Sequence, residues 1–303
     1  MSKLFRKRNF NIPFMKMRRL GYILSAIMLI VSIGSLCTKG LNYGIDFQGG
    51  VLVEVSSDKP FDMKEMRSRL SFLKDFTIQS SGVDGNMIII QCQPREGENG
   101  TVVVEQIKKE LGLNYTYERV EVIGPTVGEE LKQKSLLASI LALLAISIYI
   151  WFRFEWPFAI GCMVSLAHDL VIVIGLFSLF GWDFNMVVVA GILSLAGYDC
   201  NDTIVTYDRI RENIRKFRQE QVDVILNRSI NETFSRTILT SLTTLFVVLI
   251  LLFVGGETLQ GFSRAMVWGT ILGTYSSIFT AVPLLRYFDI KTVSEGPSEK
   301  QTV

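Results

Sequence analysis

Six long apolar blocks decide what this chain can fold into. They run at roughly 20–38, 135–152, 158–180, 186–206, 237–254 and 265–285. A hydrocarbon core of about 30 Å takes about 20 helical residues to cross. Inside it every backbone polar group must be satisfied by the segment's own helix. The blocks therefore predict six membrane-spanning helices packed as a bundle. Composition agrees: 49% of the 303 residues are hydrophobic, and the mean hydropathy is +0.34. A net charge of only +2 gives no general electrostatic support for binding nucleic acid. Cys37, Cys92, Cys162 and Cys200 show no paired spacing, so neither a disulfide framework nor a metal site is expected. The first block lacks a small-residue exit and is expected to stay as a helix rather than be cleaved as a signal peptide.

Lys and Arg in the short flanks set the orientation. They crowd the arm from Lys3 to Arg19 and the stretch from Arg209 to Arg236, and are missing around Gly181 to Asn185 and Gly255 to Ser263. Both termini are thus expected in the cytoplasm. The expected organisation is a basic arm at 1–19, a first span at 20–38, an exported domain at 39–134, a five-span bundle at 135–286 containing a cytoplasmic loop at 207–236, and a cytoplasmic tail at 287–303, polar and disordered from Thr292 onward.

The exported segment changes periodicity. "VLVEVSS", "FTIQS", "NMIIIQCQ" and "YTYERVEVI" alternate like strands, with a turn at 82–85 between the second and third. "DMKEMRSRL", behind an Asp62 cap, and "TVVVEQIKKEL" have helical spacing. The order βαββαβ predicts a small ferredoxin-like α+β sandwich. It holds no histidine and no catalytic constellation, so an enzyme is not expected.

Chemistry is expected inside the spans. His168 and Asp169 fall at the middle of the third block, Asp199 and Asp202 in the inner half of the fourth, and Arg236 at the inner end of the fifth. Thr237, Ser241 and Thr244 add a hydroxylated stripe. Ser and Thr in such places are commonly structural glue. Ionisable groups cost about 2.5–3.5 kcal/mol each at a helix centre on insertion scales and favour an ion or proton path. Asp202 lies about 6 Å inside the membrane edge at 1.5 Å per residue, and Arg236 enters from the same side, so the two are expected to form a switchable ion pair. Asp199 projects to nearly the same helix face as Asp202, and the two should titrate together. In the last block Ala265, Gly269, Gly273, Ser277 and Ala281 recur every four residues. Such a stripe lets another helix approach closely, either within the bundle or from a different subunit.

Several motifs together resemble the SecF family, the smaller membrane subunit of the bacterial SecDF export component. "GIDFQGG" (with Gly44, Asp46, Gly49 and Gly50) follows the first block, "GPTVGEEL" leads into the second, and "AHDL" lies in the third. "GYDCNDTIVTYDRIREN" (with Gly197, Asn201, Asp208 and Arg209) lies in the fourth, and "SRT" opens the fifth. The resemblance implies that Asp202 is the family aspartate of proton-driven function and Arg236 the arginine that works with it. It also implies SecD as partner, association with the SecYEG channel and often YajC, contact with a translocating unfolded polypeptide, and residence in the bacterial inner membrane. Asp199 departs from the family, where a small or uncharged residue is usual. No cofactor is implied, and no GxxxxGK[ST] phosphate loop occurs. Two other classes stay open: half of a proton-coupled exporter of small molecules or lipids, and an assembly subunit whose charges only hold SecD.

Overall fold

A computed structural model describes residues 11–73, 76–81, 85–94, 98–112 and 115–290. Most of the basic arm, part of the turn at 82–85 and the polar tail lie outside these residues.

The chain leaves a first long helix, α1 (Phe14–Lys39), through a short strand β1 (Asn42–Tyr43) and one helical turn α2 (Ile45–Gln48). It then builds β2 (Gly50–Ser56), α3 (Met63–Arg69), β3 (Phe76–Ser81), β4 (Met87–Cys92), α4 (Gly100–Leu111) and β5 (Thr116–Ile123). The Asp62 side chain accepts from the amides of Lys64 and Glu65, and Asn99 accepts from Thr101, so both helices start on the caps that short polar side chains provide. The sheet order is β3-β4-β2-β5, antiparallel throughout. Alternation puts Val51, Val53, Val55, Ile88 and Ile90 on one face, where Met66, Leu70, Val103, Ile107 and Leu111 of the two helices close the core. The opposite face carries Leu52, Glu54, Ile89, Gln91, Arg119 and Glu121, and these line a cavity of about 210 Å³ against the end of the helical bundle.

That bundle holds α5 (Pro125–Arg153), α6 (Trp156–Phe180), a two-residue strand β6 (Asp183–Phe184), α7 (Met186–Lys216), α8 (Val222–Val254) and α9 (Gly256–Ser276). The last helix continues through a π turn at Ser277–Ala281, α10 (Val282–Leu284) and a 3₁₀ turn at Leu285–Tyr287. Among the described residues five helical segments are long and apolar enough to cross a membrane, α1, α5, α6, α8 and the run Gly256–Tyr287; α7, which holds the fourth of the six expected spans, is not one of them. In their apolar windows α6 is 61% buried and the last segment 72%, against 6% for α5, 17% for α8 and 22% for α1. The first two therefore form the centre, and the others present their apolar sides outward.

Two sequence expectations need correction. The stretch 207–236 is not a loop: α7 runs to Lys216 and α8 starts at Val222, leaving only 217–221 outside a helix. Ile210, Ile214, Ile225 and Leu226 are buried, so both helices keep a packed apolar side after their overall hydropathy has dropped. The boundary at 134/135 also falls inside a helix. α5 begins at Pro125, a residue suited to a first turn because its missing amide proton would go unbonded there anyway.

Candidate functional site

The "GIDFQGG" segment joins the sheet domain to the bundle. β1 pairs in parallel with β6, Asn42 opposite Asp183 and Tyr43 opposite Phe184, and the Gly44 amide donates to the Phe184 carbonyl at 3.0 Å. Asp46 accepts from the Met186 amide at 2.9 Å and so caps α7 together with Asn185, which accepts from Val188 at 3.0 Å. Gly49 has φ +74°, and a Cβ there would stand 2.9 Å from the Pro125 backbone. Gly50 has φ +144°, with the Cys92 carbonyl 2.9 Å from the same position. Only glycine satisfies both the backbone angles and the space. Gln91 donates to Asp183 at 3.1 Å and Arg119 to Thr258 at 3.0 Å, completing the junction. Burial pushes the Glu54 carboxyl above the usual range. Arg119 opposes the shift, while Glu257, Glu118 and Glu121 add to it.

The opposite end of α7 is tied by charge. Arg209 donates to Glu232 at 2.6 Å, Asn213 donates to Glu232 at 2.7 Å and to Ser229 at 2.9 Å, and Arg153 pairs with Asp208 at 2.8 Å. Asp208 and Arg209 of the long motif therefore bind the ends of α5, α7 and α8 together.

Between these ends lie the polar groups singled out in the sequence, all deeply buried: His168, Asp169, Asp199 and Asp202 are 5%, 0%, 2% and 4% exposed. Asp202 accepts from Thr240 at 3.2 Å and from Ser241 at 3.3 Å, and Thr274 of α9 donates to Ser241 at 2.7 Å. The expected Asp202–Arg236 ion pair is absent among the described residues. Helix geometry explains it: Thr240 lies four residues, about 6 Å, along α8 from Arg236, and it is Thr240 and Ser241 that come level with Asp202. The hydroxyls reach the carboxylate first, and Arg236 remains on an exposed face one turn away. Of the expected hydroxyl stripe only Ser241 touches Asp202. Thr240, overlooked in the sequence because it lies off that stripe, is the second donor.

Asp199 does not share Asp202's surroundings. It packs against Gly273, where a Cβ would come within 3.2 Å of its Cγ, and its carboxyl faces Asp169 of α6 at hydrogen-bonding range. Asp169 also accepts from Ser276 of α9, and its Oδ1 lies 2.8 Å from His168 Nδ1. Gly269 meets Leu195, whose Cγ is 2.7 Å from where a Cβ would be. The small-residue stripe is thus a contact between α9 and α7 inside the bundle, and the alternative of a subunit contact through Gly269 and Gly273 is set aside. Gly197 and Asn201 of the long motif are exposed instead, in line with Ser194 on α7.

Several long apolar helices packed as a bundle, with a small sheet domain fixed to one end, define a multi-pass membrane protein. A model of the protein export membrane protein SecD/SecF C-terminal region matches residues 103–291, and the SecD/SecF GG motif matches 34–61. The chain is 42% identical over 311 residues to "Protein translocase subunit SecF" of Desulfurispirillum indicum, covering 97% of this chain and 99% of that one. The Pseudomonas aeruginosa relative of the same description is 39% identical, with 96% of each covered. A crystal structure of SecDF from Thermus thermophilus, described as a translocon-associated membrane protein, superposes with TM-score 0.81 at 34% identity, covering 92% of this chain. This chain spans 38% of that SecDF polypeptide. The chain belongs to the SecF family of protein translocase subunits, non-enzymatic membrane proteins of protein export.

Proposed function

We propose that this chain pairs with SecD and uses the proton-motive force to promote late steps of export through the SecYEG channel, with Asp202 carrying the proton and Arg236 as its counter-charge. One observation carries the reading. Asp202 is buried against the Thr240 and Ser241 hydroxyls, while Arg236 of α8 is exposed, as are Ser194 and Asn201 of α7 and Thr243 of α8. Polar side chains exposed on apolar helices fit a covering partner better than lipid tails, which offer no hydrogen bonds. SecD is the partner that the SecDF architecture supplies, and YajC is a further associate. α7 then counts as a sixth span, its acids turned inward. The sheet order and two crossover helices support a ferredoxin-like exported domain, and the Lys and Arg distribution supports cytoplasmic termini in the bacterial inner membrane.

A proton gradient has enough energy for the task. Each 100 mV is worth about 2.3 kcal/mol per charge, and each pH unit about 1.4 kcal/mol. When Asp202 is protonated its hold on Thr240 and Ser241 weakens, and when it is ionised the hydroxyls and the nearby guanidinium favour it. The test is export into inverted membrane vesicles with the gradient intact or collapsed. Asp202→Asn should assemble with SecD yet lose gradient-dependent stimulation, and Arg236→Met should stall the same cycle. Unchanged stimulation in Asp202→Asn would remove this reading and leave the acids as structural.

A further inference from the structure

One turn of α9 receives two acids from two other helices. Gly273 makes room for Asp199 of α7, and Ser276, three residues on, donates to Asp169 of α6. The carboxyl groups of Asp169 and Asp199 face one another there at hydrogen-bonding range. Ionised carboxylates are acceptors only, so a direct contact between two of them needs a proton between them. We propose that Asp169 and Asp199 form a carboxyl pair that holds one shared proton, a buried store next to Asp202. The proposal rests on the proton-coupled reading of Asp202 and adds to it the group that supplies the proton.

The surroundings fit a proton rather than a cation. Asp199 Oδ1 and His168 Nε2 are buried without a hydrogen-bond partner, and no Lys or Arg forms an ion pair with either acid among the described residues. His168 of α6 and Ser276 of α9 touch the pair; Cys162 of α6, Asp202 of α7 and Tyr275 of α9 are near enough to act on it electrostatically, and Arg236 of α8 acts on Asp202. Two adjacent unpaired charges in so dry a place would be far more costly than one. With one proton the pair carries a single negative charge, and His168 Nδ1 and Ser276 bond to its Asp169 side.

The handover is balanced. The proton leaves an Asp199 oxygen and bonds to an Asp202 oxygen, three residues and about 4.5 Å further along α7. Asp202 becomes neutral and the pair is left doubly negative. A doubly negative pair in so dry a place is costly, so that state favours rapid reloading of the store.

The experiment uses the complex of this chain with SecD in lipid nanodiscs. Infrared spectra at neutral pH, in H₂O and D₂O, read protonated carboxyl groups directly. The parent should show a protonated-carboxyl band that shifts in D₂O. Asp169→Asn and Asp199→Asn should each abolish it, since neither acid holds the proton alone, and Asp202→Asn should retain it. Asp199→Ser, a smaller side chain that the site accommodates, should also lose the band while co-purifying with SecD, and should displace the pH midpoint of export. A band that survives Asp199→Asn or Asp199→Ser, or no such band in the parent, overturns the proposal. Loss of gradient-dependence in Asp202→Asn is read separately by export. A failure there sinks the coupling and leaves the pair standing, whereas a failed band sinks the pair alone.

Discussion

Gly269→Ala tests where the small-residue stripe of α9 points. The added Cβ would stand 2.7 Å from Leu195 Cγ and closer still to both its methyl groups. Leu195 is 0% exposed, so it has nowhere to withdraw. Overpacking a tight core costs about 1–3 kcal/mol, while replacing a helical glycine by alanine returns about 1 kcal/mol of helix propensity. The net expectation is a loss of about 0–2 kcal/mol. Leu195→Ala alone should open a cavity and cost about 2–5 kcal/mol. The double variant should then lose clearly less than the sum, because the alanine at 269 fills part of the space left at 195. That coupling, about 1–2 kcal/mol, is what contact between the two positions requires. Gly34→Ala in α1 is the control, since its Cβ would meet nothing within 4 Å. Denaturant titration of the purified complex with SecD, following near-ultraviolet fluorescence, gives all four values. Additive losses, or Gly269→Ala that keeps full stability yet no longer holds SecD, would refute the internal packing and return the stripe to a subunit interface.

Two further outcomes follow from the junction. Glu54 has its carboxyl pushed up by burial against the bundle, so docking of the sheet favours its neutral form and should tighten as pH falls and loosen as pH rises through that group; amide exchange at 256–264 at pH 5 and pH 8 should show this slope in the parent and not in Glu54→Gln, and an equal slope in both would assign it to other acids. Asp46→Ala removes the acceptor for the Met186 amide and should cost about 1 kcal/mol, read as faster exchange over the first turn of α7, and unchanged exchange there would mean Asn185 suffices alone.

Much of this was legible in the residues. Alternation and helical spacing located β2 to β5 and the helices between them within a residue or so, because each has a local cause: the Asp62 cap and apolar spacing in the helices, and apolar residues every second position in the strands; the Asn99 cap of α4 went unread. Hydropathy located five apolar helical segments but not the helix ends, since α7 and α8 continue as half-buried helices once charged residues make the average polar. The Asp202–Arg236 expectation took depth into account but not which way each side chain turns, and the hydroxyls one turn deeper won the contact. The Asp169–Asp199 meeting had no signal in spacing at all. It depends on Gly273 and Ser276 of a third helix, a convergence of segments about 30 and 75 residues apart in sequence that only packing reveals. Asp46 looked like one member of a motif, and its partner, the start of α7, lies 140 positions away.

α7 is a single helix of 31 residues, about 46 Å of continuous rod at 1.5 Å per residue. One tip is gripped by Asp46, the other is tied to Glu232 through Arg209 and Asn213, and Asp199 and Asp202 lie between. A rod fixed at its ends cannot tilt or turn in the middle without moving what holds it. A movement at Asp202 would therefore be felt together at the sheet domain and at the Glu232 network, carried by the stiffness of one helix.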